Sequence, residues 1–155
     1  MGYLMTATDI LELAMQLEKS GEAFYRAVAK KLESPETQAL FKDLAEQEVK
    51  HYEIFAELAR TVRDSAPSAD DWEEYIGYVN ATVQGAFFEG PDKALAEAER
   101  VKDEKEALRM AIGFEKETLL FFYGLRDSVY GADKPFIDKI VAEEKSHIQR
   151  LAGML

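Results

Sequence analysis

Residues 44–55 read LAEQEVKHYEIF, and the rest of the molecule can be built outward from their pattern. Leu44 and Phe55 belong to an apolar stripe with spacings of three and four, which is typical of a helix facing a bundle core. Glu48 and His51 occupy two places on that same stripe. A Glu and a His three residues apart lie ~4.5 Å apart along a helix and about 60° apart around it. The stretch therefore predicts a helix that turns a Glu-x-x-His pair into a core, where both side chains can reach one metal ion.

Three other segments repeat this apolar stripe, and in each of them a glutamate interrupts it at the same place. The four interrupting residues are Glu18, Glu48, Glu115 and Glu144. His147 follows Glu144 by three residues, as His51 follows Glu48, and the chain has no other histidine. The repetition predicts four helices that meet in one polar layer.

Capping signals mark the ends of these four helices. Ser34 before Pro35 is an N-cap followed by a residue suited to the first helical position. Asp103 with Glu106 three residues later has capping-box spacing, and Gly131 can end a helix in the left-handed conformation. The predicted helices span residues 6–32, 34–65, 103–131 and 133–154, with ends fixed to within a few residues.

Residues 67–102 form a connection far longer than a tight helix–helix turn. Apolar residues recur with helical spacing at 72–79 and at 94–101, and Gly90-Pro91 predicts a turn between these two segments. The aromatic residues expected to form a covering layer here are Trp72, Tyr75, Tyr78, Phe87 and Phe88. Two helical hairpins joined by one long, partly helical crossover are typical of a ferritin-like four-helix bundle. We expect an all-α protein with a single domain over residues 1–155.

Composition excludes several classes of function. The chain has 155 residues and a net charge of −11, so it should repel nucleic acid and anionic membrane surfaces. It has no cysteine, which removes disulfides, thiolate nucleophiles and Cys-ligated iron or zinc. The N-terminus lacks a basic segment followed by an apolar stretch of signal-peptide length, and no apolar run approaches the ~20 residues that span a membrane. We therefore expect a cytoplasmic protein. We also expect a homodimer.

A metal pair explains the predicted polar layer. Four converging carboxylates would be costly to bury, and no stripe carries a Lys or Arg at the neighbouring levels. Two divalent ions would balance four carboxylates, with one imidazole for each ion. The candidate ligands are Glu18, Glu48, His51, Glu115, Glu144 and His147. Tyr25 lies on the same face and could donate a hydrogen bond to a ligand carboxylate, whereas Glu143 lies off the stripe and is expected to be solvated.

The sequence resembles a rubrerythrin-type di-iron domain of the ferritin-like superfamily over almost all of its length. Glu18, Gly21, Phe24 and Tyr25 are similar to the family signature E-x-x-G-x-x-F-Y. The other matching positions are Glu48, His51, Glu115, Phe121, Phe122, Glu143, Glu144 and His147. The resemblance implies two iron ions between the helices, which reduce hydrogen peroxide and are reduced again by a rubredoxin-like iron centre.

Two positions depart from the family pattern. Because the chain has no cysteine, it lacks the rubredoxin module, and electrons would have to come from a separate protein such as a rubredoxin. The family also has an additional glutamate three residues after the ligand in the third helix, where this chain has Thr118. This substitution leaves six protein ligands, a more ferritin-like set.

Three functions remain open from the sequence. The first is a di-iron oxidoreductase acting on hydrogen peroxide or dioxygen. The second is a protein that binds iron, manganese or zinc without turnover, or a ferroxidase, because the same ligands serve either role. The third is a metal-free helical adaptor, which would leave the buried carboxylates unexplained.

Overall fold

The computed structural model describes residues 7–61, 69–82, 87, 89–128 and 134–155. Within these ranges the chain is helical and contains no strand. The helices are α1 (Ala7–Ala29), α2 (Pro35–Thr61), α3 (Ala69–Thr82), α4 (Pro91–Arg100), α5 (Glu104–Ser128) and α6 (Lys134–Gly153). The described helices include none that is long and apolar enough to cross a membrane.

The four long helices form two hairpins that pack together as a bundle. Helix α1 lies along α2 and α5 lies along α6, and the hairpins meet where α1 faces α5 and α2 faces α6. Helices α3 and α4 belong to the connection between α2 and α5, with α4 packed on α1 and α3 on α5. The predicted all-α bundle with one long, partly helical crossover is confirmed.

Local sequence signals account for several helix ends. Helix α2 begins at Pro35 and α4 at Pro91, after Gly90 with a φ of 113°. Helix α5 begins directly after Asp103, whose Oδ1 accepts a hydrogen bond of 2.8 Å from the amide of Glu106. Helix α1 ends at Ala29, three residues before the predicted Leu32. The Ala29 carbonyl accepts a hydrogen bond of 3.0 Å from Gln38 Nε2, which satisfies it without a further helical turn.

The crossover covers the bundle through an aromatic contact. Phe87 is buried, and its ring centroid lies 5.2 Å from that of Phe24 on α1 and 4.2 Å from that of Phe114 on α5. Tyr78 is partly buried against the same core. Phe88 and the side chains of Trp72 and Tyr75, predicted for this layer, lie outside the described residues, as does Gly131. The crossover thus adds apolar cover to the side of the bundle formed by α1 and α5.

Candidate metal centre

The four long helices each place one glutamate in the middle of the bundle. These four glutamates and His51 are fully buried, and only 2% of the surface of His147 is exposed. The residues brought together are Glu18 on α1, Glu48 and His51 on α2, Glu115 on α5, and Glu144 and His147 on α6. All six predicted ligand positions therefore meet in one buried layer.

Apolar layers close this polar layer on both sides. Four residues of the stripes precede the glutamates on their helices, Ala14, Leu44, Ala111 and Ile140, and four follow them by seven residues, Tyr25, Phe55, Phe122 and Leu151. Because the two helices of each hairpin run in opposite directions, each side of the polar layer receives residues of both kinds. All eight residues are buried. Because the carboxylates cannot reach bulk water through these layers, their charge must be compensated inside the bundle.

The six side chains form two overlapping groups of four. The first group contains Glu18, Glu48, His51 and Glu144, and the second contains Glu48, Glu115, Glu144 and His147. Each residue offers one ligand atom, and within a group these atoms all lie within 4.8 Å of one another. Glu48 and Glu144 belong to both groups, so each could offer oxygens to both of two adjacent ions.

Both imidazoles turn Nδ1 toward the carboxylates. His51 Nδ1 lies 2.9 Å from Glu144 Oε1, and His147 Nδ1 lies 3.0 Å from Glu144 Oε2. The two rings are stacked, with centroids 5.7 Å apart and planes inclined by 18°. Despite the short distances, neither Nδ1 makes a hydrogen bond of acceptable geometry within the described residues. Both nitrogens are therefore available as ligands.

The carboxylates are similarly unsatisfied. Both oxygens of Glu18, Glu48 and Glu144, and one oxygen of Glu115, are buried without a hydrogen-bond partner in the ranges that the structure describes. An unpaired buried carboxylate is strongly destabilising unless a cation compensates it. Seven such oxygens beside two free imidazole nitrogens form a donor set that suits divalent first-row metals. The residues present therefore fit a metal pair.

In the absence of metal, the layer holds protons. Burial raises the pKa values of Glu18 and Glu48 well above the usual range, and burial raises that of Glu115 to about 8. Burial alone would lower the pKa of each histidine, but contacts with carboxylates outweigh it and raise the pKa of His51 to about 9 and that of His147 to about 10. Metal binding must displace these protons.

Glu144 behaves differently from the other three glutamates. Burial is the largest effect on its pKa and acts to raise it, but the combined contacts with His147 and His51 lower it overall. Glu144 lies between the two imidazoles, within 3.0 Å of each Nδ1. It is therefore the carboxylate that stays ionised in the metal-free layer.

Tyr25 contacts the polar layer from a position two helical turns beyond Glu18 on α1. Its hydroxyl donates a hydrogen bond to Glu115 Oε1, and the side chain is fully buried. Burial, followed by the charge of Glu115, raises the tyrosine pKa well above its usual value. The phenol therefore stays protonated and remains a donor, which fixes the orientation of the Glu115 carboxylate.

Glu143 has a role that the helical stripe did not indicate. It was expected to be solvated, but its Oε2 lies 2.7 Å from Nε2 of the buried His51, and its side chain is only 35% exposed. The expectation is wrong because α2 lies beside α6, so a side chain about 100° from Glu144 still faces the α2–α6 interface. The one sequence feature that could have indicated this contact is that Glu143 directly precedes the candidate ligand Glu144.

Gly21 is required by the close approach of two neighbours. A Cβ at this position would lie 2.8 Å from Glu48 Oε2 and 2.9 Å from two ring carbons of Phe114. The glycine therefore lets the Glu48 carboxylate lie directly against the α1 backbone. The corresponding position on α5 is Thr118, whose buried hydroxyl has no hydrogen-bond partner among the described residues.

The fold and this layer define a ferritin-like protein with a buried carboxylate and histidine cluster. The sequence model of the rubrerythrin family matches residues 9–155, so the chain belongs to that family. The structure is similar to the crystal structure of a candidate ferritin-like diiron-carboxylate protein from Thermotoga maritima. The identity is 31%, the TM-score is 0.74, and the match covers 99% of this chain and 97% of the other. No curated protein matches the sequence significantly.

Proposed function

We propose that this protein is a di-iron oxidoreductase that reduces hydrogen peroxide with electrons from a separate donor protein. The observation that carries the proposal is the pair of overlapping ligand groups, in which seven buried carboxylate oxygens and both Nδ1 atoms make no hydrogen bond within the described residues. Membership of the rubrerythrin family supports the same activity. Dioxygen is the alternative oxidant.

Six side chains would hold the two irons. Glu18 and His51 would bind one ion, Glu115 and His147 the other, and Glu48 and Glu144 would bridge the pair. The pair would supply the two electrons that reduce peroxide, together with two protons, to two molecules of water. Manganese or zinc would suit the same donors, but zinc has no redox chemistry.

The chain itself contributes orientation, charge balance and exclusion of water. Tyr25 keeps one oxygen of Glu115 fixed, and Glu143 accepts a hydrogen bond from the Nε2–H of His51, which leaves Nδ1 free to bind a metal. Apolar side chains on both sides of the layer keep bulk water away from the reacting atoms. These residues prepare the site before the oxidant arrives.

The electrons would come from a donor centre outside these 155 residues. The sequence has no cysteine, so it cannot carry the Cys-ligated iron centre that serves rubrerythrins as a donor. We therefore propose a rubredoxin-like protein as the physiological partner.

Thr118 favours a second candidate, a ferroxidase or a non-catalytic metal-binding protein. A threonine stands where the family has an additional glutamate, and this leaves a six-ligand set closer to that of ferritins. A metal-free adaptor is disfavoured because it leaves seven buried carboxylate oxygens uncompensated.

Anaerobic stopped flow tests the proposed function. The protein is loaded with Fe(II), mixed with stoichiometric hydrogen peroxide or with dioxygen, and then supplied with a rubredoxin and its reductase. The proposal expects faster oxidation by peroxide and full return to the diferrous state, with Glu144→Ala inactive and Glu22→Gln unaffected. If peroxide reacts no faster than dioxygen and no reductant restores the centre, the ferroxidase or binding function takes its place.

A further inference from the structure

The two halves of the metal centre have the same ligand types but different surroundings. We call Glu18 and His51 the α1–α2 position, and Glu115 and His147 the α5–α6 position. Each position adds one terminal carboxylate and one imidazole to the shared Glu48 and Glu144. Any difference between them must therefore arise from residues outside the ligand set.

An additional carboxylate supports the α1–α2 position. His51 Nε2–H donates a hydrogen bond of 2.7 Å to Glu143 Oε2, and the histidine is fully buried. An anionic acceptor on the distal nitrogen fixes the tautomer and makes Nδ1 a stronger donor to a metal. Lys139 Nζ lies 4.0 Å from the other Glu143 oxygen and is 68% exposed, so it offsets little of this charge.

Glu18 and Glu115, the carboxylates that belong to one position each, also differ in their surroundings. This difference again favours metal binding at the α1–α2 position. Both oxygens of Glu18 are buried without a hydrogen bond within the described part of the chain, so no hydrogen bond there competes with a metal for either oxygen. In Glu115, Oε1 already accepts the hydrogen bond of Tyr25. That bond occupies a lone pair and draws charge away from the carboxylate, so Glu115 is the weaker donor.

We propose that the two positions bind divalent metal in sequence, with the α1–α2 position tighter, and that Glu143 is the positioning residue responsible for the difference. The inference rests on the metal pair of the proposed function, but it does not depend on which reaction the pair performs. At the α1–α2 position Glu143 adds negative charge behind His51, and no hydrogen bond within the described residues occupies the Glu18 oxygens, whereas Tyr25 weakens a ligand of the α5–α6 position. Glu143 acts through His51 and need not touch the metal.

Titration of the full-length metal-free protein with Co(II) tests the inference. Calorimetry gives the affinities, and the visible spectrum of Co(II) reports the ligand field at each step. We expect two resolved steps, with His51→Ala eliminating the tight step and His147→Ala the weak one. Glu143→Gln should weaken the first step about ten- to hundredfold and shift its spectrum, while the second step stays unchanged.

Glu22→Gln is the matched control for the loss of one negative charge. Glu22 is 32% exposed, close to the 35% of Glu143, and its carboxylate pairs with Arg26 and not with a candidate ligand. Glu22→Gln should change neither step. Thermal unfolding of each variant in chelator establishes that the metal-free fold is intact.

The possible outcomes separate the inference from the proposed function. Binding of both ions with equal affinity, equal weakening of both steps by Glu143→Gln, or the same effect from Glu22→Gln would overturn the inference and leave the metal pair in place. Failure of the wild type to bind Co(II), Mn(II) or Fe(II) would overturn the proposed function itself. Selective loss of the tight step supports both.

Discussion

The two hairpins carry nearly the same sequence pattern, yet each depends on the other for the support of its ligands. Glu143 of α6 accepts a hydrogen bond from His51 of α2, and Tyr25 of α1 donates one to Glu115 of α5. The shared carboxylates also come from both hairpins, Glu48 from α2 and Glu144 from α6. Neither hairpin therefore contains a complete metal position. The centre forms only when the hairpins pack together.

The largest expected effect is loss of metal from variants of the shared carboxylates. Glu48→Ala and Glu144→Ala should each lose both ions, because these residues belong to both ligand groups. Glu18→Ala and Glu115→Ala should each lose only the ion of their own position. Metal analysis after desalting measures the difference. A double His51→Ala/His147→Ala variant that keeps full loading would rule out the centre as described.

Metal should also hold the two hairpins together against unfolding. A ligand that binds only the folded state stabilises it by about 4 kcal/mol when free ligand exceeds Kd a thousandfold. The midpoint of thermal unfolding should therefore rise with added Mn(II), and it should rise much less in Glu48→Ala. Equal midpoints for the wild type in chelator and in excess metal would favour the metal-free adaptor.

The metal-free protein should lose stability as the pH rises. Burial raises the pKa of Glu115 from 4.5 to about 8, and carboxylate contacts raise that of His51 from 6.5 to about 9. Over these windows the folded state binds more protons than the unfolded state, so the free energy of unfolding falls with pH. Urea unfolding in chelator at pH 5.5 and 8.5 should show a loss of several kcal/mol.

The Glu115 contribution to this loss can be isolated by substitution. Glu115→Gln should remove the part that falls between pH 4.5 and 8 and should reduce the part due to His147, because Glu115 helps to raise the His147 pKa. The part due to His51 should remain. Stability that rises over this pH range in the wild type would contradict the protonated layer.

The smallest effect distinguishes two helical glycines. Gly21→Ala should cost about 1–3 kcal/mol, because the new Cβ would lie 2.8 Å from Glu48 Oε2 and must displace it. Gly113→Ala, on α5, meets no atom within 4 Å and should stabilise the protein by about 0.5–1 kcal/mol. Chemical denaturation of both variants in chelator measures the two effects. A loss of similar size in both variants would mean that Gly21 has no special packing role.

Much of the fold was predictable because its signals are local. The Asp103 cap, Pro35 and Gly90-Pro91 each act within one helical turn, and all three lie at observed helix boundaries. The end of α1 was misplaced because it depends on Gln38, a residue of the next helix whose amide binds the Ala29 carbonyl. A contact between two elements leaves no signal in the periodicity of either one.

The sequence by itself determined the layer of six candidate ligands, because helical periodicity fixes which side chains share one face of one helix. Four stripes interrupted at the same level then require a common polar layer. Only the tertiary structure decided which other residues contact that layer. Examples are the hydrogen bond between Glu143 and His51 and the close approach of Glu48 to Gly21. The physical reason is that these contacts depend on which helices are neighbours and how each is rotated about its axis. Packing of the whole bundle sets both quantities.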